Sequence, residues 1–295
     1  MITASDRLLR RLEWQIVRRL DGRLQGSYRT VFRGAGIDFA ELRSYTPEDD
    51  VRHIDWNVTA RLDEPFVRRY TEDRDLTAWL VLDRSASMRF GPEAHGKDSV
   101  LTELAVCLAR LLTQGGNRVG AILYDNAVQH VIPPGTGRTH VLRVTHELIK
   151  PAPASRRGPT TDLSAMLTLA AATARRRSLI FVVSDFIGDP TWERPLTRLA
   201  LRHEVVGIRI VDPLELELPD LGLIMVEDAE TGEQLLVDSS DPIFRERLRG
   251  EVAGREDAVA SSMTHAGVVC HRISTDQDLA AALVEMVRQT KRRRR

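Results

Sequence analysis

The chain has 295 residues and sets 42 Lys and Arg against 42 Asp and Glu, for a formal net charge of zero. That balance excludes a protein whose main work is coating nucleic acid, and 42% hydrophobic with 28% charged residues excludes a disordered or fibrous chain. The length supports one large domain or two smaller ones with a sizeable core.

Lys97, Lys150 and Lys291 are the only lysines. Arginine therefore carries nearly all the positive charge, which suits fixed bidentate contacts or simply reflects a GC-rich genome. Cys107 and Cys270 lie far apart in apolar surroundings and read as buried small hydrophobes of a reducing compartment. The opening MITASDRLLRRLEWQIVRRL is amphipathic and charged, with no apolar core of a secretory signal. The runs AWLVL and LIFVV fall far short of the roughly 20 residues a spanning helix needs. The expectation is a soluble, cytoplasmic protein with no membrane span.

Residues 5–21 repeat Leu8, Leu9, Leu12, Ile16, Val17 and Leu20 at helical spacing and stop at Asp21-Gly22. From Gly26 to Tyr70 the pattern is irregular and predicts short strands and ordered loops without a strong helix. LTAWLVLD (76–83) then predicts a buried strand ending in an acid, and SVLTELAVCLARLLTQGG (99–116) an amphipathic helix stopped by glycines. RVGAILYDN and AVQHVIPP predict two strands turned at Asp125-Asn126. A helix over 138–149, a loop PAPASRRGP and a helix over 162–176 follow. SLIFVVSD (178–185) repeats the buried strand ending in an acid. A helix over 191–201, the strand HEVVGIRI, a last strand GVVCHRIS and a helix over 276–290 complete the series. The alternation predicts an α/β fold, a doubly wound, mostly parallel sheet with helices on both faces. In such a sheet the ligand crevice lies at the carboxyl ends of the strands, where Asp83 and Asp185 fall.

Asp83-Arg84-Ser85-Ala86-Ser87 leaves its strand as DxSxS, so one turn can gather a carboxylate and two hydroxyls around a point. Thr160-Thr161-Asp162 opens a helix and can add a hydroxyl, and Asp185 can add a carboxylate directly or through water. These few hard oxygens suit Mg²⁺ or Mn²⁺ rather than zinc, and leave a position for a partner's carboxylate. The competing reading is that Thr161 only caps a helix.

On this alternating chain the DxSxS, Thr, Asp series resembles the metal-ion-dependent adhesion site of von Willebrand factor A domains. FRGAGIDFAELRSYTPEDDVRHIDWNVTAR followed by LVLDRSASMRFG, SLIFVVSDF, HEVVGIRIVDPLELELPDLG and EDAETGE is similar to the domain-of-unknown-function family fifty-eight, from about Tyr28 to the last strand. The resemblance implies a von Willebrand factor A-like fold and metal ligands Asp83, Ser85, Ser87, Thr161 and Asp185, with Thr160 as an alternative to Thr161. It also implies a partnership with a MoxR-type AAA+ ATPase and its client, in chaperone-like maturation or metal insertion. Three positions depart from the family pattern: Glu48 replaces a glycine, Asp38 a glutamate, and Phe186 the glycine of better-known adhesion sites. Longer family members carry amino-terminal membrane helices, so the resemblance supplies no anchor to this chain.

The expected organisation is an amino-terminal helix and signature segment (1–75) packed on the main domain (76–290), an acidic hairpin insertion at 212–241 and a basic tail (291–295). Between Thr46 and Arg61, Glu48, Asp49, Asp50 and Asp55 interleave with Arg43, Arg52 and Arg61 around Trp56. This mixture reads as an ion-pair network fixing irregular backbone, or else as a recognition surface. Residues 212–241 hold Asp212, Glu215, Glu217, Asp220, Glu227, Asp228, Glu230, Glu233, Asp238 and Asp241 and no Lys or Arg. That run is a solvated face, or a docking surface for a basic partner.

The chain is expected not to be an enzyme. GPEAHGKD (91–98) nearly spells a phosphate loop, but Asp98 replaces the metal-binding hydroxyl and would repel phosphate. A metal-dependent phosphatase with Asp83 as nucleophile is the alternative, although Ser85 stands where it would want a general acid. None of the eight histidines falls at ligand spacing with another.

Overall fold

The computed structural model describes residues 4–13, 38–46, 49–51, 54–62, 64–71, 76–92, 95–125, 127–150, 162–188 and 190–293. Residues 151–161, which include Thr160 and Thr161, lie outside them, as do Glu48 and Arg52.

The amino-terminal part holds helix α1 (Ala4–Leu12), strand β1 (Asp38–Ser44), helix α2 (Trp56–Leu62) and strand β2 (Phe66–Thr71). β1 and β2 pair antiparallel, Phe39 opposite Tyr70 and Ser44 opposite Phe66. The irregular segment thus contains the expected short strands, and also a short helix that its mixed composition conceals. Asp55 is buried and accepts from the Val58 amide at 3.3 Å, which caps α2. Asp49 pairs with Arg43 and accepts from the Thr46 amide and hydroxyl, both at 2.9 Å. These donors, the Thr46 amide first, hold its carboxyl below the usual range. Trp56 is exposed.

The remainder runs β3 (Thr77–Asp83), α3 (Lys97–Gln114), β4 (Arg118–Tyr124), β5 (Val128–Gly135), α4 (Gly137–Leu148), α5 (Leu163–Thr173), β6 (Leu179–Ser184), α6 (Glu193–Arg202) and β7 (Glu204–Val211). The hairpin β8 (Leu223–Glu227) and β9 (Gln234–Asp238) follows, then α7 (Pro242–His265), β10 (Val269–Ser274) and α8 (Leu279–Arg293). Six strands form one mixed sheet in the order β10-β7-β6-β3-β4-β5, parallel except for the antiparallel edge pair β4 and β5.

Successive strand residues point to opposite faces, so continuous apolar strands must be covered on both. One face carries Leu80, Leu82, Phe181 and Val183 against Leu104 and Leu108 of α3, Val141 of α4, Leu283 of α8 and Leu9 and Leu12 of α1. The other carries Trp79, Val81, Ile180 and Val182 against Met166 of α5, Leu196 of α6 and Val259 and Met263 of α7. Helix α7 is the longest element the sequence pattern misses. Of its 24 residues only Val259, Ser262 and Met263 are buried, so it has no long apolar stripe to announce it. The β8–β9 hairpin pairs as expected, with Met225 opposite Leu236, and Leu223, Met225, Leu235 and Leu236 are exposed. Helical backbone continues through Arg293, into the expected basic tail. Among the described residues no helix is long and apolar enough to cross a membrane.

Candidate functional site

β3 and β6 are parallel neighbours, with Leu82 opposite Val183, so Asp83 and the Ser184-Asp185 pair emerge side by side at the carboxyl edge of the sheet. Asp83 and Asp185 are each only 1% exposed. The Ser184 hydroxyl donates to Asp83 Oδ2 at 2.6 Å, and the Ser85 amide donates to Asp83 Oδ1 at 3.0 Å. After Asp83 the chain turns into a short 3₁₀ segment at Ser87–Arg89, which brings the Ser85 and Ser87 hydroxyls within 3.1 Å of each other. Arg84 is buried and bonds Asp98 through Nε at 3.2 Å. The DxSxS turn thus gathers one carboxylate and two hydroxyls.

Asp185 is committed differently. Its Oδ2 accepts from Lys97 Nζ at 2.8 Å and its Oδ1 from the Ile187 amide at 3.0 Å. Lys97 is fully buried and also donates to Glu215 Oε1 at 2.6 Å. It is the first residue of α3, where a cation opposes the helix dipole, so the two carboxylates stabilise it against both dipole and burial. Gly96 before it has to be glycine, because a Cβ there would meet the Phe90 carbonyl oxygen at 2.7 Å and the Pro92 carbonyl oxygen at 2.9 Å. Glu215 is placed by a single helical turn, Pro213–Leu216, at the end of β7, where Asp212 and Glu215 form a reciprocal capping box.

Phe186, where better-known adhesion sites have glycine, takes a left-handed φ of 54°. That conformation costs an L-residue about 1 kcal/mol, and the buried ring, 5.4 Å from the Trp192 ring, together with the Phe186 amide bond to Ser184 Oγ, holds it. The turn that glycine would permit is therefore made by a packed aromatic residue.

Burial, then the nearby charge of Asp185, pushes the Asp83 carboxyl up to about 7. The Ser184 hydroxyl and the Ser85 amide donate to it, while Lys97 is taken by Asp185 and Glu215. Glu215 is also raised by burial, an effect that Lys97 partly offsets. A fourth carboxylate comes from the hairpin, where Glu230 Oε1 accepts from the Ser87 amide at 3.1 Å. Asp185 and Glu215 thus hold Lys97, while Asp83 lies beside Asp185 and Glu230 meets the turn at the Ser87 amide. Excess negative charge beside paired hydroxyls is a donor set that fits a hard cation. Among the described residues no cage of three or more His, Cys, Asp or Glu occurs, so any cation here would rest on the hydroxyls.

Of the sequence-predicted ligands, Asp83, Ser85 and Ser87 lie together, Asp185 lies beside them on Lys97, and Thr161 falls outside the described residues. The cap of α5 is supplied by Asp162, which accepts from the Ala165 amide at 3.0 Å. Ser184, Lys97, Glu215 and Glu230 escape a reading of the sequence as neighbours of this turn. Ser184 carried a local signal, a hydroxyl directly before the strand-end acid. Lys97 was visible only as part of a failed phosphate loop, because its partners are 88 and 118 residues away.

A family model described as "Protein of unknown function DUF58" matches residues 41–258. Uncharacterized proteins of Mycobacterium tuberculosis and Mycobacterium bovis are each 38% identical over 287 residues, covering 96% of this chain and 89% of their own length. An uncharacterized Mycobacterium avium protein is 31% identical over 163 residues, 55% of this chain and 94% of its own. Among solved structures, the conserved hypothetical protein BatB from Bacteroides thetaiotaomicron matches with a TM-score of 0.47 at 15% identity, over 74% of this chain and 99% of that one. An aerotolerance-related membrane protein from Bacteroides fragilis matches over the same shares with a TM-score of 0.46 at 15% identity.

Proposed function

The chain belongs to the DUF58 family, and from that premise we propose that it is a non-enzymatic interaction protein, von Willebrand factor A-like in architecture, whose strand-end crevice binds Mg²⁺ or Mn²⁺. The observation that carries this reading is the pair of hydroxyls, Ser85 and Ser87, 3.1 Å apart beside the buried Asp83. Asp83, Ser85, Ser87 and Thr161 would hold the ion, and Asp185 would contribute charge while paired with Lys97. When bound, the ion supplies a positive charge and an open coordination position for an acidic side chain. Ser184 and the Ser85 amide fix the Asp83 carboxylate, and Lys97 keeps Asp185 from repelling it at full strength.

The partner in this reading is a MoxR-type AAA+ ATPase or its client, with ATP chemistry residing in the ATPase and the acidic hairpin steering encounter. The setting is cytoplasmic, and the work is chaperone-like maturation or metal insertion. The family motifs support this partnership. A phosphatase reading draws less from the same residues, because both Asp83 oxygens already accept hydrogen bonds in a buried setting, whereas a nucleophile must reach phosphorus in line.

Thermal unfolding with and without Mg²⁺ tests the cation site. Wild type gains stability as Mg²⁺ rises, and Ser87→Ala and Asp83→Ala lose most of that gain. An equal response of all three proteins, or none in any, contradicts the site. Co-purification with the candidate ATPase, weakened by chelator, tests the partnership, and failure in every nucleotide state removes it.

A further inference from the structure

Large apolar side chains exposed to water gather on the β8–β9 hairpin. Leu223 of β8 is 70% exposed and Met225 60%, and Leu236 of β9 is 59% exposed. The antiparallel register sets Leu223 opposite Asp238, Met225 opposite Leu236 and Glu227 opposite Gln234. Opposite residues share a face and alternate residues of a strand return to it, so the three apolar side chains form one strip. Asp238 ends that strip at the base of the hairpin and Glu227 ends it toward the tip. The other face carries Val237, which is buried, and Ile224, which is half-buried, so the hairpin rests on that side and the strip faces away from it.

Two strands of five residues bury little by themselves, and such a ribbon gains stability from a further layer packed on its bare face. Its two ends are nevertheless held in shape. At the base the Ser239 hydroxyl joins the Leu221 amide and the Gly222 carbonyl, each at 2.9 Å, and at the tip Asp228 Oδ1 accepts from the Thr231 amide at 2.7 Å. A fixed, exposed apolar strip of this kind marks a partner site. Charge selects the partner. Residues 212–241 contain no Lys or Arg. Asp220 and Asp238 accept from the Ser240 hydroxyl and amide, and Asp228 from Thr231, all neutral donors that orient the charge without cancelling it. Arginine reaches this stretch at Glu217, from Arg245 and Arg249 of α7. A second copy seated strip to strip would bring acid against acid, and an anionic lipid surface would be repelled in the same way. A partner with Lys or Arg beside its apolar side chains matches both the strip and its rim.

We propose that the exposed strip of the β8–β9 hairpin is a docking face for a basic amphipathic helix of a partner protein. The helix lays its apolar side over Leu223, Met225 and Leu236, and its flanking Lys or Arg side chains reach Asp238 and the neighbouring acids. A helix supplies the missing layer because its apolar side chains recur on one side and its charged ones border them. The inference goes beyond the cation reading, in which the hairpin's charge only steers encounter. Here the hairpin holds the partner, with or without an ion in the crevice.

Fluorescence anisotropy on the full chain in EDTA tests this apart from the cation site. The probe is a labelled leucine-lysine peptide of about 18 residues with leucine at helical spacing. A leucine-glutamate peptide of the same pattern and a leucine-lysine peptide in strict alternation, which suits a strand, are the comparisons. Wild type is expected to bind the helical leucine-lysine peptide, and the double variant Leu223→Thr/Leu236→Thr, which keeps good strand formers, to bind it about tenfold more weakly. Met225→Thr repeats the test at the third position of the strip, and urea midpoints matched to wild type confirm that the variants fold. Leu201→Gln, at an exposed leucine of α6 outside the strip, binds as wild type does. Asp238→Asn weakens binding and lessens its dependence on salt. No binding by wild type, or equal binding by wild type and the double variant, overturns the docking face. Equal binding of the leucine-glutamate peptide overturns the choice of a basic partner, and tighter binding of the alternating peptide overturns the helix. A wild-type dimer in sedimentation that the double variant abolishes gives the strip to a second copy and overturns the proposal as well.

Discussion

At Lys97 a single ammonium decides how two acids behave. It is fully buried between Asp185 and Glu215, and removing it would leave two desolvated carboxylates facing each other. Lys97→Met is therefore expected to destabilise the fold by about 3–5 kcal/mol, the cost of breaking a buried pair from one side. Asp185→Asn should cost less, because Glu215 still neutralises the ammonium. Urea unfolding checks both, and a Lys97→Met midpoint equal to wild type would contradict the assignment. The sequence made Asp83, Ser85 and Ser87 legible as one cluster because a strand end and a five-residue motif are local. Lys97 and Glu215 were not legible as its neighbours, since only the folded sheet brings α3 and the end of β7 to the same edge. Nor does the sequence say that Asp185 is already paired. A strand-end aspartate looks the same whether a lysine or an ion will meet it.

The elements were read best where burial imposes a period. β3, β4, β6 and β7 are apolar on both faces, and α3 has a broad buried side, so each follows from its own residues. α7 and α2 were missed because their residues are mostly polar or exposed and their placement depends on other elements. The joint between α6 and β7 gives a test at this scale. His203 ends α6, its amide on the Leu199 carbonyl at 2.9 Å, and both ring nitrogens are buried without a hydrogen-bond partner among the described residues. Burial, then the charge of Arg202, holds its pKa below the usual imidazole value. The fold thus keeps the neutral ring, and the unfolded chain takes up the proton first as pH falls. Stability from this group is full above roughly pH 6.5 and drops below it. His203→Leu should flatten that part of the stability profile between about pH 7 and 5; an unchanged slope would count against it.

Across the whole molecule, zero net charge is the sum of strongly separated parts. The stretch 212–241 is acidic without a single Lys or Arg, and it supplies Glu215 to a sheet edge where Asp83 and Asp185 lie with Lys97 and Arg209. Acidic hairpin and acidic crevice nevertheless meet, through the Ser87 amide and Glu230. A divalent cation would make that meeting favourable, and the sheet places its expected donors where α/β proteins bind ligands. The alternating pattern of strands and helices made the sheet's position legible, but the hairpin's return onto it was not, because exposed acidic residues carry no sign of where they dock. Anomalous diffraction from crystals grown with Mn²⁺ tests the central claim most directly. The account predicts a Mn²⁺ peak within coordination distance of Asp83, Ser85 and Ser87. A crevice without a peak, in crystals that show Mn²⁺ bound elsewhere on the protein, would contradict it.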